Sequence, residues 1–158
     1  MTAGVLIRPA SGDDARWAAG LMSSSDPWIT LHRSFNDCVA ACTSPVDVLE
    51  IAETAGERCG LVLVRPAGVA GAPYIVSIAA APAFRNHGVG AALLDHVERT
   101  FRGRSRHLFL CVSSFNPRAR RFYERHGFEA VGALKAFLID EADEILMYKR
   151  LAPGAGPA

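Results

Sequence analysis

The sequence of 158 residues lacks the features that mark membrane, secreted and nucleic-acid-binding proteins. No uninterrupted apolar run approaches the roughly 18 residues of a membrane span. The first residues lack the basic segment and long apolar stretch of a secretory signal. Lys and Arg number 17 against 16 Asp and Glu, and a net charge of +1 gives no strong attraction to nucleic acid or anionic lipid. We therefore expect a soluble, cytoplasmic protein with no nucleic-acid or membrane partner.

Cysteine is scarce, and its spacing is not that of a metal site. The four residues are Cys38, Cys42, Cys59 and Cys111, and none forms a Cys-x-x-Cys pair. Cys38 and Cys42 have a helical i, i+4 spacing, but no nearby His-x-His motif or second Cys pair completes a ligand set. We expect buried thiols in a reducing compartment and no bound metal.

The composition is that of a folded protein the size of one domain. Apolar residues make up 50% of the chain and charged residues 21%, which excludes intrinsic disorder. A chain of this length should bury about 68–70% of its extended-chain surface. Residues 1–151 are predicted to form a single domain. Residues 152–158, rich in Gly, Pro and Ala, are predicted to be a flexible C-terminal tail.

Hydrophobic periodicity and turn residues predict an α+β or mixed α/β fold in the order β-α-α-β-β-β-α-β-α-β-β. The predicted strands are 5–7, 46–53, 57–64, 74–80, 107–112, 128–134 and 144–151. Four helices are predicted. The first begins after the capping residues 11–14, the second spans 31–42 and the third spans 88–101. The fourth runs from Pro117 until Gly127 ends it.

A glycine-containing loop, Arg85-Asn-His-Gly-Val-Gly90, joins a strand to a helix. Gly88 and Gly90 allow a tight turn and close approach to a ligand. The free N–H groups and the positive dipole end of the helix suit a pyrophosphate. A dinucleotide-binding motif would need a third glycine where this chain has Leu93, and an acidic residue after the next strand. A nucleotide-binding oxidoreductase is therefore disfavoured.

A second segment, 116–128, combines a helix start with an aromatic stripe. Ala119, Phe122, Tyr123 and His126 lie on one face of the predicted helix. Taken alone, this pattern favours an amphipathic helix that packs Tyr123 in the core and exposes its arginines.

Together the two segments resemble the GCN5-related N-acetyltransferase (GNAT) superfamily. Its Arg/Gln-x-x-Gly-x-Gly/Ala signature stands here as residues 85–90. Its later motif stands as Asn116, Ala119, Phe122, Tyr123, Gly127 and Phe128. The opening 7–10 and the closing 145–151 also look like the family, so the resemblance covers about 1–151.

The resemblance implies the acyl-CoA N-acyltransferase fold. This fold has a mixed, mostly antiparallel sheet of six or seven strands and about four helices. The strands at 74–80 and 107–112 would run parallel and splay apart to form a cleft. Acetyl-CoA would be the co-substrate, with its pantetheine along the 74–80 strand and its pyrophosphate on the glycine-containing loop. The implied cofactor-binding residues are Ile78, Ala80, Arg85, Asn86, His87, Gly88, Val89, Gly90 and Asn116.

The implied activity is acetyl transfer from acetyl-CoA to an amine of a small molecule or protein, by direct attack in a ternary complex. Tyr123 matches the general acid of the family, and its phenol, with an ordinary pKa near 10, is protonated at neutral pH. Asn116 would orient the cofactor or that tyrosine. Core packing is the alternative role for Tyr123, and a non-catalytic acyl-CoA sensor or regulatory domain is the alternative function.

The general base stays open at this stage. Many family members carry a glutamate on the strand before the loop, but 74–80 contains no carboxylate, and Cys111 stands where another glutamate is common. Water relayed by Ser77, Glu50 or Glu53 on the neighbouring strand, and an amine of low pKa are the alternatives.

The acceptor site is also open. Trp28 and His32 are candidates for its wall, which gives the candidate substrate residues Trp28, His32, Glu50 and Ser77. The acidic run 140–144 is expected in a loop, either attracting a cationic amine or, as we favour, lying on the solvated surface. A homodimer is possible, since many relatives pair their closing strands or helices.

Overall fold

The structure, a computed structural model, describes residues 4–153. These residues form a seven-stranded sheet and four α-helices in the predicted order. The strands are β1 (Leu6–Pro9), β2 (Val48–Thr54), β3 (Glu57–Arg65), β4 (Tyr74–Ala80), β5 (His107–Ser113), β6 (Glu129–Ile139) and β7 (Ala142–Arg150). The helices are α1 (Asp14–Ser23), α2 (Phe35–Cys42), α3 (Val89–Phe101) and α4 (Pro117–Arg125).

The sheet has the strand order β1-β2-β3-β4-β5-β7-β6. Every neighbouring pair is antiparallel except β4 and β5, which are parallel and are connected through α3. The predicted α+β architecture, with its parallel pair at the centre, is confirmed.

A bulge in β4 separates the two parallel strands. Tyr74 and Ile75 pair with β5, and the pairing between the two strands stops after Ile75. On the β3 side, Val64 pairs with Ile75 and Leu63 with Ser77, so Val76 is an extra residue. Since a bulge bends its strand, β4 turns away from β5 at this point. The separation opens a slot through the middle of the sheet.

Each face of the sheet carries its own core. On one face, α3 and α4 pack against the sheet through apolar residues that include Leu93, Val97, Leu110, Tyr123 and Met147. On the other face, α1 and α2 pack through residues that include Ala18, Met22, Cys38, Ile51 and Leu61. All four cysteines are free thiols; Cys38, Cys42 and Cys59 are buried, as expected, and Cys111 is partly exposed.

Helix α2 begins later than predicted because a capping box fixes its start. The Asp37 N–H donates to Ser34 Oγ at 3.1 Å, and the Ser34 N–H donates to Asp37 Oδ2 at 2.9 Å. These bonds satisfy N–H groups that a helix leaves without partners at its start. The predicted helix over 31–42 therefore begins at Phe35, and the preceding residues form turns.

The closing hairpin is longer than predicted. Strand β6 continues to Ile139, five residues beyond the predicted end, and β7 begins at Ala142. The Asp143 carboxylate accepts the Ala136 N–H at 3.0 Å and pairs with Lys135, which holds an irregular stretch of β6 against β7. The expected loop over 140–144 is therefore wrong for Ala142 and Asp143, whereas Glu144 lies in the closing strand, as the prediction of a strand over 144–151 had it.

The described chain leaves the core shortly after the last strand. Leu151 is buried directly after β7, whereas Ala152 and Pro153 are exposed. Most of the predicted tail, 154–158, lies outside the described residues. Within 4–153, no helix combines the length and apolar character needed to cross a membrane.

Candidate active site

A cavity of about 810 Å³ lies between the splayed β4 and β5. Its wall reaches both faces of the sheet. Tyr123, which belongs to the core under α3 and α4, lines it, and so does Trp28, which packs with the core under α1 and α2. Two ligands can thus enter from opposite faces and meet in the slot.

The free edge of β4 faces this cavity. Ile78 and Ala80, both predicted to bind the cofactor, line the cavity. On its other edge β4 pairs with β3 as far as the Gly60–Ala80 pair, whereas its pairing with β5 stops at Ile75. The backbone groups between 76 and 80 that point toward β5 can therefore pair with the amides of an extended ligand, as an added strand would.

The loop before α3 is fixed to its surroundings by side chains. Arg85 lines the cavity; its Nη2 donates to Ser25 Oγ at 3.2 Å and its Nε to the Ala80 carbonyl at 3.4 Å. Asn86, at φ +63°, accepts a hydrogen bond from Arg118 Nη2 of α4 at 3.0 Å. These contacts hold the loop between the ends of β4 and α4.

The α3 end of the loop offers backbone groups to a ligand. His87 and Gly88 are exposed, and Gly88 has a φ of +84°, a conformation that favours glycine. Val89 buries its side chain in the core. A Cβ on Gly90 would lie 3.0 Å from Cζ of Phe122. The first N–H groups of α3 therefore carry any anion binding here, assisted by the helix dipole.

Asn116 and Tyr123 lie on α4 beside the slot, and both line the cavity. Asn116 is the N-cap of α4, since its Oδ1 accepts the Ala119 N–H at 3.2 Å. Tyr123 is buried, with its ring edge-on to Phe122 and Phe128. Burial raises the pKa of its phenol to about 12, so the hydroxyl is protonated at neutral pH.

Glu144 is the functional candidate that sequence reasoning misplaced. It lines the cavity from β7 and is only 5% exposed, so the expectation of a solvated surface for 140–144 is wrong at this position. The Ser113 hydroxyl donates to its carboxylate, and burial raises the pKa of that carboxyl. Its neighbours Ile145 and Met147 pack toward α3 and α4. No local pattern in the closing strand marks this position, because the burial of Glu144 follows from the pairing of β7 with β5.

Tyr74 and Cys111 form a second pair in the cavity wall, which the sequence did not indicate. The Tyr74 hydroxyl donates to the Cys111 sulfur, and burial raises the pKa of both groups above their ordinary values. Because a thiol with a raised pKa is mostly protonated at neutral pH, Cys111 is a poor nucleophile.

The remaining predicted substrate residues divide into two groups. Trp28 and Ser77 line the cavity. His32 is exposed and lies outside the lining residues. Glu50 also lies outside them, with its Oε2 2.9 Å from His96 Nε2 of α3, and Glu53 pairs with Arg8 at 2.7 Å. Both carboxylates of β2 thus lie outside the cavity lining and contact other side chains.

No metal centre is apparent in the part of the chain that the structure describes: no three or more His, Cys, Asp or Glu side chains are grouped to hold an ion.

Several solved structures resemble this one. A GNAT-family protein from Desulfovibrio desulfuricans matches with a TM-score of 0.79 and 24% identity, over 94% of this chain and 100% of its own. A GNAT-family acetyltransferase from Elizabethkingia anophelis with acetyl-CoA bound matches with a TM-score of 0.75 and 22% identity, over 93% and 98%. Nourseothricin acetyltransferase matches with a TM-score of 0.62 and 29% identity, over 68% and 67%.

The sequence itself has a family match but no match among curated proteins. The model of the acetyltransferase (GNAT) family matches residues 16–128, well over half of the chain. This span includes the loop before α3, the slot between β4 and β5, and Asn116 and Tyr123 on α4. On this match and on its fold, the chain belongs to the GNAT family of acetyltransferases.

Proposed function

We propose that the protein is an N-acetyltransferase that transfers the acetyl group of acetyl-CoA to an amine of a small molecule or a protein, in a ternary complex. The observation that carries this proposal is the cavity through the sheet, which joins the free edge of β4 to Tyr123. The family match and the acetyl-CoA complex of the similar Elizabethkingia protein support it.

The residues around the slot fit acetyl-CoA. The pantetheine amides would pair with the backbone of β4 near Ile78 and Ala80, and the pyrophosphate would lie on the first N–H groups of α3. Arg85 adds a positive charge beside this path. Asn86, His87 and Gly88 complete the loop, Val89 and Gly90 contribute through their backbone, and Asn116 lies beside the path on α4.

The chemistry is acyl transfer without an acetylated enzyme. The amine nitrogen attacks the thioester carbonyl, the C–N bond forms and the C–S bond breaks. Backbone N–H groups near Ala80 polarise the carbonyl. The departing thiolate takes its proton from the Tyr123 hydroxyl, which its surroundings keep protonated.

The proposed role of Asn116 is to position the helix that carries Tyr123. As the N-cap of α4 it fixes the start of the nine-residue helix that carries Tyr123, and it lines the cavity itself. On the other face of the sheet, Trp28 and Ser77 are the proposed acceptor contacts. The single domain over 1–151, the cytoplasmic location and a homodimer stay predictions.

Product analysis tests this proposal. The purified protein is incubated with acetyl-CoA and a panel of amines, and N-acetylated products are identified by mass spectrometry. We expect an N-acetyl product and release of CoA, and an unchanged intact mass of the enzyme when amine is omitted. Binding of acetyl-CoA without any product would favour the sensor or regulatory function, and an acetylated enzyme would overturn direct transfer.

A further inference from the structure

Glu144 is a buried carboxylate whose hydrogen-bonding capacity is only partly used. Its side chain is 5% exposed, and its Oε2 is buried with no hydrogen-bond partner among the described residues. Ser113, directly opposite on β5, donates to the carboxylate. A buried anion with an unpaired oxygen is costly unless a cation or a donor satisfies it. The residue lines the cavity, so a ligand can supply that partner.

Glu144 and Tyr123 approach the cavity from opposite faces of the sheet. Tyr123 belongs to the core under α3 and α4, and so do Ile145 and Met147 on β7. Because side chains alternate along a strand, Glu144 projects to the face that carries α1 and α2. The proton donor for the leaving thiolate and this carboxylate thus flank the slot on its two sides.

The other carboxylates of the cavity wall already accept hydrogen bonds from the protein. Asp26 accepts hydrogen bonds from the N–H and hydroxyl of Thr30 at 3.1 and 2.6 Å. Asp37 belongs to the capping box of α2. Among the described residues that line the cavity, Glu144 is therefore the carboxylate that combines burial with a free oxygen.

We propose that Glu144 binds the ammonium group of the acceptor and takes its proton, so that the acceptor is a primary amine that is cationic in solution. This inference rests on the proposed function and names the substrate class for that same site.

The proton balance is complete with these two residues. Glu144 accepts one proton from the ammonium, which leaves a neutral amine whose lone pair attacks the thioester carbonyl. As the C–S bond breaks, the thiolate takes the Tyr123 proton, and the proton still carried by the new C–N nitrogen restores the phenol. Glu144 then releases its proton to solvent. The sum is ammonium plus thioester to amide, thiol and one proton.

The surroundings of Glu144 suit a group that accepts and releases a proton. Burial raises the pKa of its carboxyl above the ordinary value for a glutamate. Its neighbours are the hydroxyl of Ser113 and the Cys111 thiol on β5, the Tyr74 hydroxyl on β4, and Leu134 opposite on β6. The adjacent Asp143 is paired with Lys135. Activity should therefore rise with pH as the Glu144 carboxyl ionises.

The test compares Glu144→Gln with Glu141→Gln, which removes an exposed carboxylate of the same acidic run. Acceptors are aliphatic primary amines, which are cationic at pH 7, and an aromatic amine that is neutral there. For the aliphatic amines we expect Glu144→Gln to lower kcat/KM about 10²- to 10⁴-fold, to flatten its rise with pH, and to spare the aromatic amine. Glu141→Gln should match the wild type with both classes.

Folding and cofactor binding are followed in parallel. Glu144→Gln removes a buried charge and should unfold no earlier than the wild type, with the same stabilisation by acetyl-CoA. Glu144→Asp, which keeps the charge but shortens the side chain, serves as the second variant and should retain part of the aliphatic-amine activity.

Three results would overturn the inference: Glu144→Gln activity within twofold of the wild type on aliphatic amines, an equal loss on both amine classes, or a wild type that acetylates only the neutral amine. A wild-type protein that neither binds acetyl-CoA nor acetylates any amine would instead overturn the proposed function itself.

Discussion

Gly60 of β3 packs directly against Val89, the first residue of α3. A methyl group on Gly60 would lie 2.7 Å from Cγ1 of Val89 and 2.8 Å from the carbonyl oxygen of Ala79. The first distance is to a side chain of the core and the second is to the β4 backbone, and neither can move freely. Gly60 thus lets α3 begin close to the sheet, where its first N–H groups reach the end of the slot.

We therefore predict that Gly60→Ala destabilises the fold by about 2–3 kcal/mol, through overpacking at this contact. The measurement is urea unfolding followed by circular dichroism. Gly20→Ala is the matched control, because nothing lies within 4 Å of a Cβ at Gly20 in α1. There alanine should stabilise the helix by up to about 1 kcal/mol. Equal shifts for the two variants would contradict the packing described for Gly60.

Tyr123→Phe should separate catalysis from binding. Loss of the hydroxyl removes the proton for the leaving thiolate, and kcat should fall about 10²- to 10⁴-fold. The ring stays in place against Phe122 and Phe128, so the unfolding midpoint and the affinity for acetyl-CoA should change little. Steady-state kinetics on the best amine of the panel check this prediction.

Tyr148→Phe provides the control for that substitution. Tyr148 lies on β7 outside the cavity lining, with its hydroxyl bonded to Glu129 and its ring stacked on His107. The kcat of the Tyr148→Phe variant should equal that of the wild type. A Tyr123→Phe enzyme as active as Tyr148→Phe would leave Tyr123 with the core-packing role alone.

Asp14 makes the stability of the fold depend on pH. Its buried carboxylate accepts a 2.6 Å hydrogen bond from Arg8 and a 3.0 Å one from Arg58. The hydrogen bond from Arg8 is the main reason that the pKa of this carboxyl lies well below its usual range, and further hydrogen bonds lower this pKa as well. Since the folded state favours the ionised form, this stabilisation is complete above the unfolded pKa near 3.9 and is lost as pH falls below it.

Asp14→Asn should cost about 2 kcal/mol of unfolding free energy at pH 7, the value of hydrogen bonds to a charged group. The gap to the wild type should narrow below about pH 4, because the Asp14 carboxyl is then protonated in the unfolded chain while the folded protein still holds it ionised. Unfolding curves from pH 3 to 8 provide the measurement. A gap that widens toward low pH would contradict the sign of the pKa change.

The cysteines should differ in reactivity. Burial raises the pKa of the Cys42 thiol to about 11, so only about one part in a thousand is thiolate at pH 8. Cys38 and Cys59 are buried as well, and Cys111 is partly exposed in the cavity. Iodoacetamide should therefore label Cys111 first, slowly, and acetyl-CoA should protect it. Labelling of the buried thiols at the rate of Cys111 would contradict this order.

The sequence predicted the elements that local chemistry determines. The predicted strand over 74–80, the predicted helix over 88–101 and the start of the last helix at Pro117 were all confirmed, because each is specified by residues close together in the chain. The start of α2 was missed by four residues, because Ser34 and Asp37 cap each other and the apolar pattern before them continues past this boundary.

The site was only partly predictable. Tyr123 and Asn116 stand in the second motif, Ile78 and Ala80 were implied by the family resemblance, and all four line the cavity. Glu144 could not be predicted in this way, because its burial depends on the pairing of β7 with β5 and on the bulge that opens the slot, both of which join distant parts of the chain. Contacts between distant parts of the chain likewise determine the partners of the β2 carboxylates, since Glu50 contacts His96 and Glu53 pairs with Arg8.

The most direct test of the central claim is thermal unfolding of the wild-type protein with acetyl-CoA, CoA or NAD at matched concentrations. A ligand at 100 times its Kd stabilises the fold by about 2.7 kcal/mol, which shifts the midpoint measurably. We predict stabilisation by acetyl-CoA and CoA and none by NAD. The absence of a shift with every CoA species would contradict acetyl-CoA binding in the slot, and the transferase function with it.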